Sequence, residues 1–545
     1  MVVKAVRGVV DYLVSGGVSY IFGIPAGSVN AFFDELYDVP EIEPVVAKHE
    51  GAASYMAAAY ARATGHLGVC IGSSGPGSTN LLTGAANASR EHLPVLFLTG
   101  HVPVDAIGRN ASQEFDSEAV YKPFVKYSVT VRRPEDLVDE VAKAVTIALS
   151  GVPGPVHVAM PIDVQLAEAE ELPLPAFPRR EKVLPDPEAV REAAVRLAQT
   201  PGVVFVGQGA RRAIPEVIET AELLGWPIVV TPQAKGLIPE SYPGYIGVYG
   251  FAGHEKAAEW VNDHPERALL IVGSSLGETA TSNYSKPLGE RQLIVQIDFD
   301  KTVFGRTYRC DVPLRGDADV TLQWLNRELR ELGLCRHALG TQPVALESVP
   351  SEFKTQNVLL ALQRYLPQNT RYTVDIGEHM SYVIHYMRVL DYDSYEINVH
   401  FGPMGIAIGS AIGYALADPT RPVVCITGDG CFFMHGMEVL TAKEYRLPIL
   451  FIVINNARLG MVHHGHLLQY HRAHPRFQQD PVNIAGMAAH LGVPALRVER
   501  FEDLADPRAE NLLQADGPVV LDVALVDDQV PPMGDRVKFL SSFGR

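Results

Sequence analysis

A Gly428-Asp429-Gly430-Cys431 sequence and a later Asn455-Asn456 pair carry the residue types of a metal-bound anion site. A carboxylate oxygen and an amide oxygen are hard ligands suited to Mg²⁺ or Ca²⁺, and Mg²⁺ completes its octahedron with phosphate oxygens and water. Glycine on both sides of Asp429 lets backbone and phosphate come close together. The pattern therefore predicts a diphosphate held through a divalent cation, although a Gly-Asp-Gly turn by itself is common by chance.

Three predicted elements would bring these residues together. An apolar, β-branched run at 422–427 predicts a buried strand that ends before Asp429, and a run at 449–454 predicts a strand that ends at the asparagines. Residues 433–445 predict a helix between them, whose N-terminus would face the anion. This crossover puts Asp429 and Asn456 at neighbouring strand ends, the edge at which open α/β sheets bind ligands.

Helix and strand signals alternate along the whole chain of 545 residues. Glycine-rich turns follow the apolar strand runs, which is typical of doubly wound parallel sheets. A stiff stretch at 172–188, with five prolines in 17 residues, and a second linker at 336–352 divide the chain. We therefore predict the α/β class with three doubly wound domains, at residues 1–170, 190–335 and 353–545.

The composition argues against several classes of protein. An apolar content of 47% with 20% charged residues is ordinary for a globular enzyme, and a net charge of −17 argues against a nucleic-acid surface. Five scattered cysteines form neither a disulfide framework nor a zinc-binding spacing, so we expect a reducing, cytoplasmic location. The first residues lack a signal-peptide pattern, and no apolar stretch reaches the ~20 residues of a membrane span.

Five further segments, together with the metal pattern, carry a resemblance that runs along nearly the whole chain. They are Phe22-Gly23-Ile24-Pro25, Lys48-His49-Glu50-Gly51-Ala52-Ala53, Ser74-Gly75-Pro76-Gly77-Ser78-Thr79-Asn80, Gln113-Glu114-Phe115-Asp116 and Leu459-Gly460-Met461-Val462. On these residues the chain resembles the thiamine-diphosphate-dependent enzymes of the acetolactate synthase and pyruvate oxidase group. The resemblance implies a pyrimidine-binding domain, a central domain and a diphosphate-binding domain, in that order.

The resemblance implies a role for each of several residues. Glu50 would hydrogen-bond the aminopyrimidine ring of the cofactor and favour the tautomer that removes the thiazolium C2 proton. Mg²⁺ would be bound by the side chains of Asp429 and Asn456 and by the backbone carbonyl of Arg458. Met404 would wedge the two cofactor rings into a bent shape. The remaining cofactor contacts would be Gly377, Glu378 and His379 at the diphosphate, and Pro25, Asn80, Gly428, Gly430, Cys431, Gly460 and Met461.

Three of these residues also have an ordinary structural interpretation. Glu50 would then be an acid at a helix N-terminus, stabilised by the helix dipole. His379 would be a histidine at a strand end, and Met404 would fill the core as methionines commonly do.

The sequence departs from the group at three places that bear on the reaction. Related decarboxylases carry a His-His pair where this chain has Ser112-Gln113, so simple aldehyde release is disfavoured. Synthases carry an Asp-Arg pair whose arginine binds a second carboxylate, but residues 274–281 contain Glu278 instead, which argues against an anionic acceptor there. A tryptophan of the synthases is replaced by Gly465, which leaves room for a larger acceptor.

Three side chains near these departures are candidates for catalysis. Gln113 fits the synthase-like pattern and would hydrogen-bond the intermediate or the acceptor, the alternative being a solvent-facing loop residue. His463 and His464 are candidates for proton transfer, because imidazole titrates near neutrality, and ordinary surface histidines are the alternative.

The sequence thus predicts a thiamine-diphosphate- and Mg²⁺-dependent carboligase. A 2-oxoacid donor, pyruvate by default, would lose CO₂ and its acyl unit would be transferred to a carbonyl acceptor. A lyase, decarboxylase or acyltransferase acting on another acyloin or diketone is one alternative, and a catalytically silent scaffold subunit is another. We expect small-molecule substrates and neither a nucleic acid nor a membrane as partner.

Two expectations concern assembly and a second cofactor. In the group, the residue matching Glu50 serves a cofactor held by the other subunit, which implies a homodimer or homotetramer with active sites at the subunit interface. Gly207-Gln208-Gly209 and residues 231–236 lie where relatives bind FAD or a nucleotide. A lone Gly-x-Gly is weak evidence, and FAD is not favoured.

Overall fold

The computed structural model describes residues 2–170, 173–339, 352–504, 516–525 and 529–533. Three six-stranded parallel sheets follow one another along these residues, with helices between their strands, which confirms the predicted α/β class with three doubly wound domains. The proline-rich stretch has neither helix nor strand over residues 173–186. Residues 340–351 of the second predicted linker lie outside the described residues, and the domain boundaries stay predictions.

The first domain has a crevice between two of its central strands. Its strands are β1 (Val2–Lys4), β2 (Tyr20–Gly23), β3 (Glu43–Val46), β4 (Gly68–Gly72), β5 (Val95–His101), β6 (Ser128–Thr130), β7 (Val156–Pro161) and β8 (Glu168–Glu170). Its helices are α1 (Ala5–Ser15), α2 (Asn30–Leu36), α3 (Glu50–Thr64), α4 (Pro76–Arg90), α5 (Ser117–Tyr121), α6 (Leu137–Leu149) and α7 (Ile162–Leu166). The parallel sheet has the order β3-β2-β4-β5-β7-β6, and β1 pairs antiparallel with β8. The strand order reverses between β2 and β4, so the loops after these strands border the crevice.

The central domain repeats this plan with another reversal of strand order. Its strands are β9 (Gly202–Val206), β10 (Ile228–Val230), β11 (Tyr245–Val248), β12 (Ala268–Val272), β13 (Leu293–Asp298) and β14 (Val312–Arg315). Its helices are α8 (Pro187–Ala198), α9 (Ile214–Leu224), α10 (Glu255–Asn262), α11 (Lys286–Gly289) and α12 (Ala318–Glu331). The order is β11-β10-β9-β12-β13-β14, which puts the crevice between β9 and β12.

The third domain contains the predicted metal pattern. Its strands are β15 (Arg371–Val374), β16 (Tyr395–Ile397), β17 (Val423–Gly428), β18 (Ile449–Asn455), β19 (Ala495–Val498) and β20 (Val519–Ala524). Its helices are α13 (Thr355–Tyr365), α14 (Glu378–Tyr386), α15 (Ile406–Ala417), α16 (Asp429–His435), α17 (Val439–Glu444), α18 (Gly460–Tyr470), α19 (Ile484–His490) and α20 (Phe501–Leu504). The order is β16-β15-β17-β18-β20-β19, with the reversal between β15 and β17.

The strand–helix–strand unit around the metal pattern differs from the prediction in its helix. Strands β17 and β18 pair in parallel as predicted. The helix, however, starts at Asp429 and not at 433, and a short 3₁₀ turn at Gly436–Glu438 separates α16 from α17. Gly428 is extended and acts as the N-cap, so the helix begins directly at the strand end. Asp429 therefore occupies the first helical position, where the helix dipole favours an acid.

Helices α3 and α15 join the first domain to the third. A Cβ on Gly409 would lie 2.8 Å from the Ala52 carbonyl oxygen, and one on Gly413 would lie 3.0 Å from Ala59 Cβ. The two helices run in parallel at this distance, and their buried residues share one apolar cluster. This packing brings the start of α3, at Glu50, beside the start of α15. Among the described residues, no helix combines the length and the apolarity needed to cross a membrane.

Candidate active site

The predicted metal ligands lie at the carboxyl ends of β17 and β18, where Gly428 is opposite Ile454. Asp429 is only 4% exposed, and its Oδ1 accepts a hydrogen bond from the Gly430 N–H at 2.8 Å. Burial raises the pKa of Asp429, against backbone N–H groups that lower it. Its Oδ2 is buried without a hydrogen-bond partner among the described residues. The site therefore offers an unpaired carboxylate oxygen to a cation.

Asn456 is held in place by the turn that follows it. Its Oδ1 accepts a hydrogen bond from the Arg458 N–H at 3.3 Å, and its Nδ2 donates to Glu378. Ala457, with a φ of 53°, forms the turn between them. The backbone N–H groups of Ala457 and Arg458 also lower the pKa of Asp429, so the acid lies against this turn. The structure thus brings the three predicted metal ligands together.

The oxygen atoms that could bind a metal ion around Asp429 do not come from a cluster of charged side chains. Among the described residues, no group of three or more His, Cys, Asp or Glu side chains is placed to hold a metal ion. The site around Asp429 instead combines one carboxylate with an amide oxygen and backbone groups. Such a set leaves most positions around a cation to other oxygen ligands, as Mg²⁺ bound with phosphates requires.

The segment predicted to grip the diphosphate begins α14, beside the same turn. A Cβ on Gly377 would lie 2.6 Å from His379 Cε1, and one on Gly428 would lie 3.0 Å from the same atom. Burial lowers the pKa of His379 to about 4, so the ring is neutral at pH 7. Its Nε2 has no hydrogen-bond partner within the described part of the chain. Glu378 packs against Gly460, where any Cβ would collide with the carboxylate.

Met404 lies next to the metal pattern and is fixed there by an acid that the sequence analysis missed. Its Cε lies 3.4 Å from the position of a Cβ on Gly430. The following residue, Gly405, has a φ of 86° and donates its N–H to Asp375 Oδ1 at 2.8 Å. The other oxygen of Asp375 accepts the Thr427 hydroxyl at 2.9 Å, and burial raises the pKa of Asp375 to about 6. The sequence signal for Asp375 is that it is a single acid directly after an apolar strand.

The predicted contacts on α18 and at Cys431 point mainly into the protein. His464 is 1% exposed, and its Nε2 lies 3.5 Å from Glu378 Oε2 and 3.4 Å from Arg458 Nη2. His463 is half-buried, and its ring packs edge-on against that of His464. The Cys431 thiol donates to the Ile376 carbonyl at 3.1 Å, and burial raises its pKa well above the usual value. Met461 is half-buried against the core of the third domain.

Glu50 is the first residue of α3 and lies in the crevice of the first domain. The His49 side chain caps the helix by accepting the Gly51 N–H at 3.0 Å. Asn80 Nδ2 donates to Glu50 Oε2 at 3.0 Å, and a Cβ on Gly77 would lie 3.1 Å from Glu50 Oε1. The structure therefore brings two predicted cofactor residues, Glu50 and Asn80, into direct contact.

The loops after β2, β4 and β5 are hydrogen-bonded to one another near Glu50. Pro25 is exposed in the loop after β2, and Ser28 Oγ in that loop accepts the Ser74 N–H at 2.9 Å. Gln113 is exposed, with a φ of 63°, and its carbonyl accepts the Ser74 hydroxyl at 2.8 Å. The side chain of Gln113 is thus at the rim of the crevice that contains Glu50.

Within one chain, the start of α3 lies at the opposite end of α16 from the metal pattern. The N-terminus of α3 contacts the far end of α16, where the rings of His49 and His435 are 5.2 Å apart. Helix α16 begins with Asp429, so about two helical turns separate this contact from the metal pattern. Among the described residues, no hydrogen bond links Glu50 to the third-domain group.

A separate cavity of about 540 Å³ lies between the first and central domains. The loops after β9 and β12 contact each other there, since a Cβ on Gly207 would collide with the Gly273 carbonyl. Gln208, Gly209 and Arg62 are among the residues that line the cavity. The Gly207-Gln208-Gly209 sequence therefore lies at the reversal point of the central sheet.

Comparisons with known proteins cover all three domains. Residues 3–120 match the thiamine pyrophosphate enzyme N-terminal TPP binding domain, residues 191–325 the central domain, and residues 375–523 the C-terminal TPP binding domain. The probable acetolactate synthase large subunit of Methanocaldococcus jannaschii is 31% identical, over 97% of this chain and 93% of the relative. In Escherichia coli, the acetolactate synthase isozyme 2 large subunit is 31% identical over 95% of this chain and 94% of its own length. The acetolactate synthase isozyme 3 large subunit of Escherichia coli is 32% identical over 93% of this chain and 92% of its own length.

These matches extend over both crevices described above, the one containing Glu50 and the one containing Asp429. The resemblance seen in the sequence is therefore confirmed at the level of the family. The chain belongs to the thiamine pyrophosphate enzymes and, among them, to the acetolactate synthase-like group.

Proposed function

We propose that this protein is a thiamine-diphosphate- and Mg²⁺-dependent carboligase that takes a 2-oxoacid such as pyruvate as donor and a carbonyl compound as acceptor. The observation that carries the proposal is the buried, unpaired Asp429 oxygen beside the oriented side chain of Asn456. Relatives that match almost the whole chain are named acetolactate synthase, which supports the same chemistry. When bound, the cofactor supplies the carbon centre that adds to the donor carbonyl and accepts the charge left by CO₂.

The third domain would hold the diphosphate end of the cofactor. Asp429 and Asn456 would bind Mg²⁺ with their side-chain oxygens, and Arg458 with its backbone carbonyl. His379 is neutral and its Nε2 has no hydrogen-bond partner among the described residues. This nitrogen would either donate a hydrogen bond to a phosphate oxygen or accept one from a protonated phosphate. Met404, held through Gly405, would support the cofactor rings from the side of the metal.

The first domain would supply the acid that acts on the pyrimidine ring. Asn80 holds one oxygen of Glu50 and leaves the other in the half-exposed crevice, where it would hold a proton at the ring nitrogen. Because no hydrogen bond within the described part of the chain joins Glu50 to the third-domain group, we infer that Glu50 serves the cofactor of a neighbouring subunit. A homodimer is the smallest such assembly, and a homotetramer contains two of them.

The acceptor would enter beside α18 and the rim of the first crevice. Gln113 is exposed and His463 is half-buried there, and both stay the candidates for contact with the acceptor. His464, by contrast, is buried between Glu378 and Arg458, and we assign it to holding the turn after β18. Gly465 would leave room for an acceptor larger than pyruvate.

Three further expectations complete the proposal. We do not favour FAD as a second cofactor, and the absorbance spectrum of the purified protein tests whether a flavin is bound. All five cysteines are free thiols, which supports a reducing cytoplasm as the location. The relatives in Methanocaldococcus jannaschii and Escherichia coli are named large subunits, so co-purification shows whether a second type of chain joins the homodimer.

The test is incubation of the purified protein with Mg²⁺, thiamine diphosphate and a panel of 2-oxoacids and carbonyl acceptors. We expect CO₂ release and a coupled product detected by mass spectrometry. Release of aldehyde, acid or acyl phosphate in place of a coupled product would point to a lyase or an acyltransferase. If no 2-oxoacid yields CO₂, the donor assignment is wrong.

The substitution Glu50→Gln tests the proposed acid. It removes the charge but keeps the hydrogen bond to Asn80, so cofactor binding measured by calorimetry should change little. Turnover should fall by a factor on the order of 10²–10⁴, the usual contribution of a positioned acid or base. Unchanged turnover would favour a chain that binds the cofactor without using this acid.

A further inference from the structure

A buried acid of the third domain, Glu438, contacts the backbone directly before Glu50. Its Oε1 accepts hydrogen bonds from the N–H groups of Lys48 and His49, each at 2.9 Å. Its Oε2 accepts the Thr441 hydroxyl at 2.7 Å, and Glu438 as a whole is 1% exposed. A carboxylate of the third domain is therefore the hydrogen-bond partner of the connection between β3 and α3.

The hydrogen bonds to Glu438 matter because the two N–H groups lie directly before Glu50. Strand β3 ends at Val46 and α3 begins at Glu50, so the amides of Lys48 and His49 lie outside both elements. Backbone N–H groups outside helices and strands need another acceptor, and a single carboxylate oxygen of Glu438 supplies it for both amides. The backbone direction at His49 sets the direction of the first helical side chain, which is that of Glu50.

Other residues of the same third-domain segment hold the connection from both sides. The Tyr445 hydroxyl donates to the Pro44 carbonyl at 2.6 Å and accepts the Val46 N–H at 3.0 Å. The His435 ring packs edge-on against the His49 ring. Glu438 lies between these two contacts in the chain, and it hydrogen-bonds the backbone N–H groups of Lys48 and His49 directly.

We propose that Glu438 is a positioning residue for Glu50, holding the backbone of Lys48 and His49 so that the Glu50 carboxylate points toward the cofactor. The inference rests on the proposed function of Glu50. Misplacing a catalytic group by about 1 Å costs on the order of 100-fold in rate, so a backbone contact one residue away is enough to matter. Glu438 itself touches neither cofactor nor substrate in this arrangement.

Four variants separate positioning from general stability. Glu438→Ala removes both acceptor oxygens, and Glu438→Asp keeps the charge but shortens the reach by one methylene group. Glu438→Gln keeps an oxygen at the Oε1 position, which accepts both amides, and should behave like the wild type. Glu444→Gln is the matched control, because Glu444 is 55% exposed and pairs with Lys48 Nζ at 2.6 Å on the same connection.

The first measurement needs no cofactor. Hydrogen–deuterium exchange of the backbone amides of Lys48 and His49 is followed in the cofactor-free protein. Glu438→Ala and Glu438→Asp should raise the exchange rate of these amides by about tenfold or more, because their acceptor is lost or withdrawn. Glu438→Gln and Glu444→Gln should leave it within about twofold of the wild type.

The second measurement follows the step that Glu50 is proposed to assist. The rate at which the C2 proton of bound thiamine diphosphate exchanges with deuterium should fall on the order of 100-fold in Glu438→Ala. The cofactor Kd should change much less. In the background of Glu50→Gln, Glu438→Ala should add no further loss, because it acts through Glu50 and the two effects are then not additive.

The outcomes distinguish this inference from the proposed function. A folded Glu438→Ala variant with a wild-type C2 exchange rate, or losses that add to those of Glu50→Gln, overturns the role of Glu438 alone. A wild-type rate in Glu50→Gln overturns both. If Glu438→Ala does not fold, Glu438→Asp and Glu438→Gln decide, and equal C2 exchange rates in these two overturn the inference.

Discussion

Two buried polar atoms of the third-domain site have no hydrogen-bond partner within the described residues, and the sequence predicts Mg²⁺ beside the first and the diphosphate beside the second. They are Asp429 Oδ2 and His379 Nε2. Burying an unpaired carboxylate oxygen costs free energy, and a bound cation removes this cost. A chain with such atoms gains stability when a cation and a phosphate group bind to them, so cofactor binding should raise the temperature of thermal unfolding.

Asp429→Asn tests this expectation. The Tm of the wild type should rise with Mg²⁺ and thiamine diphosphate, since a ligand at 100 times its Kd adds about 2.7 kcal/mol to the free energy of unfolding. Asp429→Asn should lose most of this gain. Without ligands its Tm should equal or exceed that of the wild type, because a neutral amide costs less to bury than an unpaired charge.

Asp480→Asn is the matched control, since Asp480 is an exposed acid of the same domain. It should retain the full ligand-dependent rise in Tm, measured by differential scanning fluorimetry. An Asp429→Asn variant that gains as much as this control would contradict the assignment of Asp429 as a metal ligand.

The site residues that could be predicted from the sequence follow recognisable strands. The residues that were missed have hydrogen-bond partners far away along the chain. Asp429 and Asn456 could be predicted because the strand before each is a continuous apolar run, and parallel strand ends meet at one edge. Asp375 bonds Gly405, 30 positions away, and Glu438 bonds Lys48, 390 positions away. Nothing in the residues around either acid indicates such a partner.

At the scale of elements, apolar runs predicted the strands on both sides of the metal pattern correctly, but the helix between them begins earlier than predicted. The predicted strand at 449–454 is observed at Ile449–Asn455. The helix after Gly428 begins at Asp429, four residues before the predicted start at 433, although glycine is a poor helix former in a helix interior. Gly430 lies in the first turn of the helix, where the helix dipole stabilises the Asp429 carboxylate. This carboxylate also accepts the Gly430 N–H, and the hydrogen bond offsets the low helix propensity of glycine.

The packing of α3 on α15 is an element-scale feature with a direct test. Gly413→Val places a branched side chain against the Met56 carbonyl and the Ala59 Cβ, where only hydrogen now fits. Overpacking of this kind costs about 1–3 kcal/mol. We expect a lower Tm and, because α3 carries Glu50 at its start, a lower turnover than the loss of stability alone explains.

Gly277→Ala is the control for this substitution. A Cβ at Gly277 meets no heavy atom within 4 Å, and its backbone is not in the left-handed region. Its Tm and turnover should match those of the wild type. A Gly413→Val variant with the same Tm as Gly277→Ala would show that α15 can move away from α3 at no cost.

At the scale of the whole molecule, one ionic cluster connects all three domains. Arg62 of the first domain pairs with Glu91 at 2.7 Å and with Glu396 of the third at 2.9 Å. Arg211 of the central domain pairs with Glu396 at 3.1 Å and with Asp393 at 2.6 Å. The three domains could be predicted from repeated strand and helix signals, but this junction could not, since its charges are scattered over more than 300 positions and form no local pattern.

Glu396→Gln tests whether this junction makes the three domains unfold together. Glu396 is the acid shared by the two arginines, and removing one partner of a buried ionic group costs about 3–5 kcal/mol because the remaining charges stay buried. Scanning calorimetry of the wild type should show one cooperative transition, and Glu396→Gln should show a lower Tm with an earlier, separate transition of the central domain. Glu135→Gln, which removes an exposed pair with Arg133, should leave the Tm and the shape of the transition unchanged, because solvent screens exposed pairs. A single unshifted transition in Glu396→Gln would mean that apolar contacts alone, such as those of α3 on α15, hold the domains together.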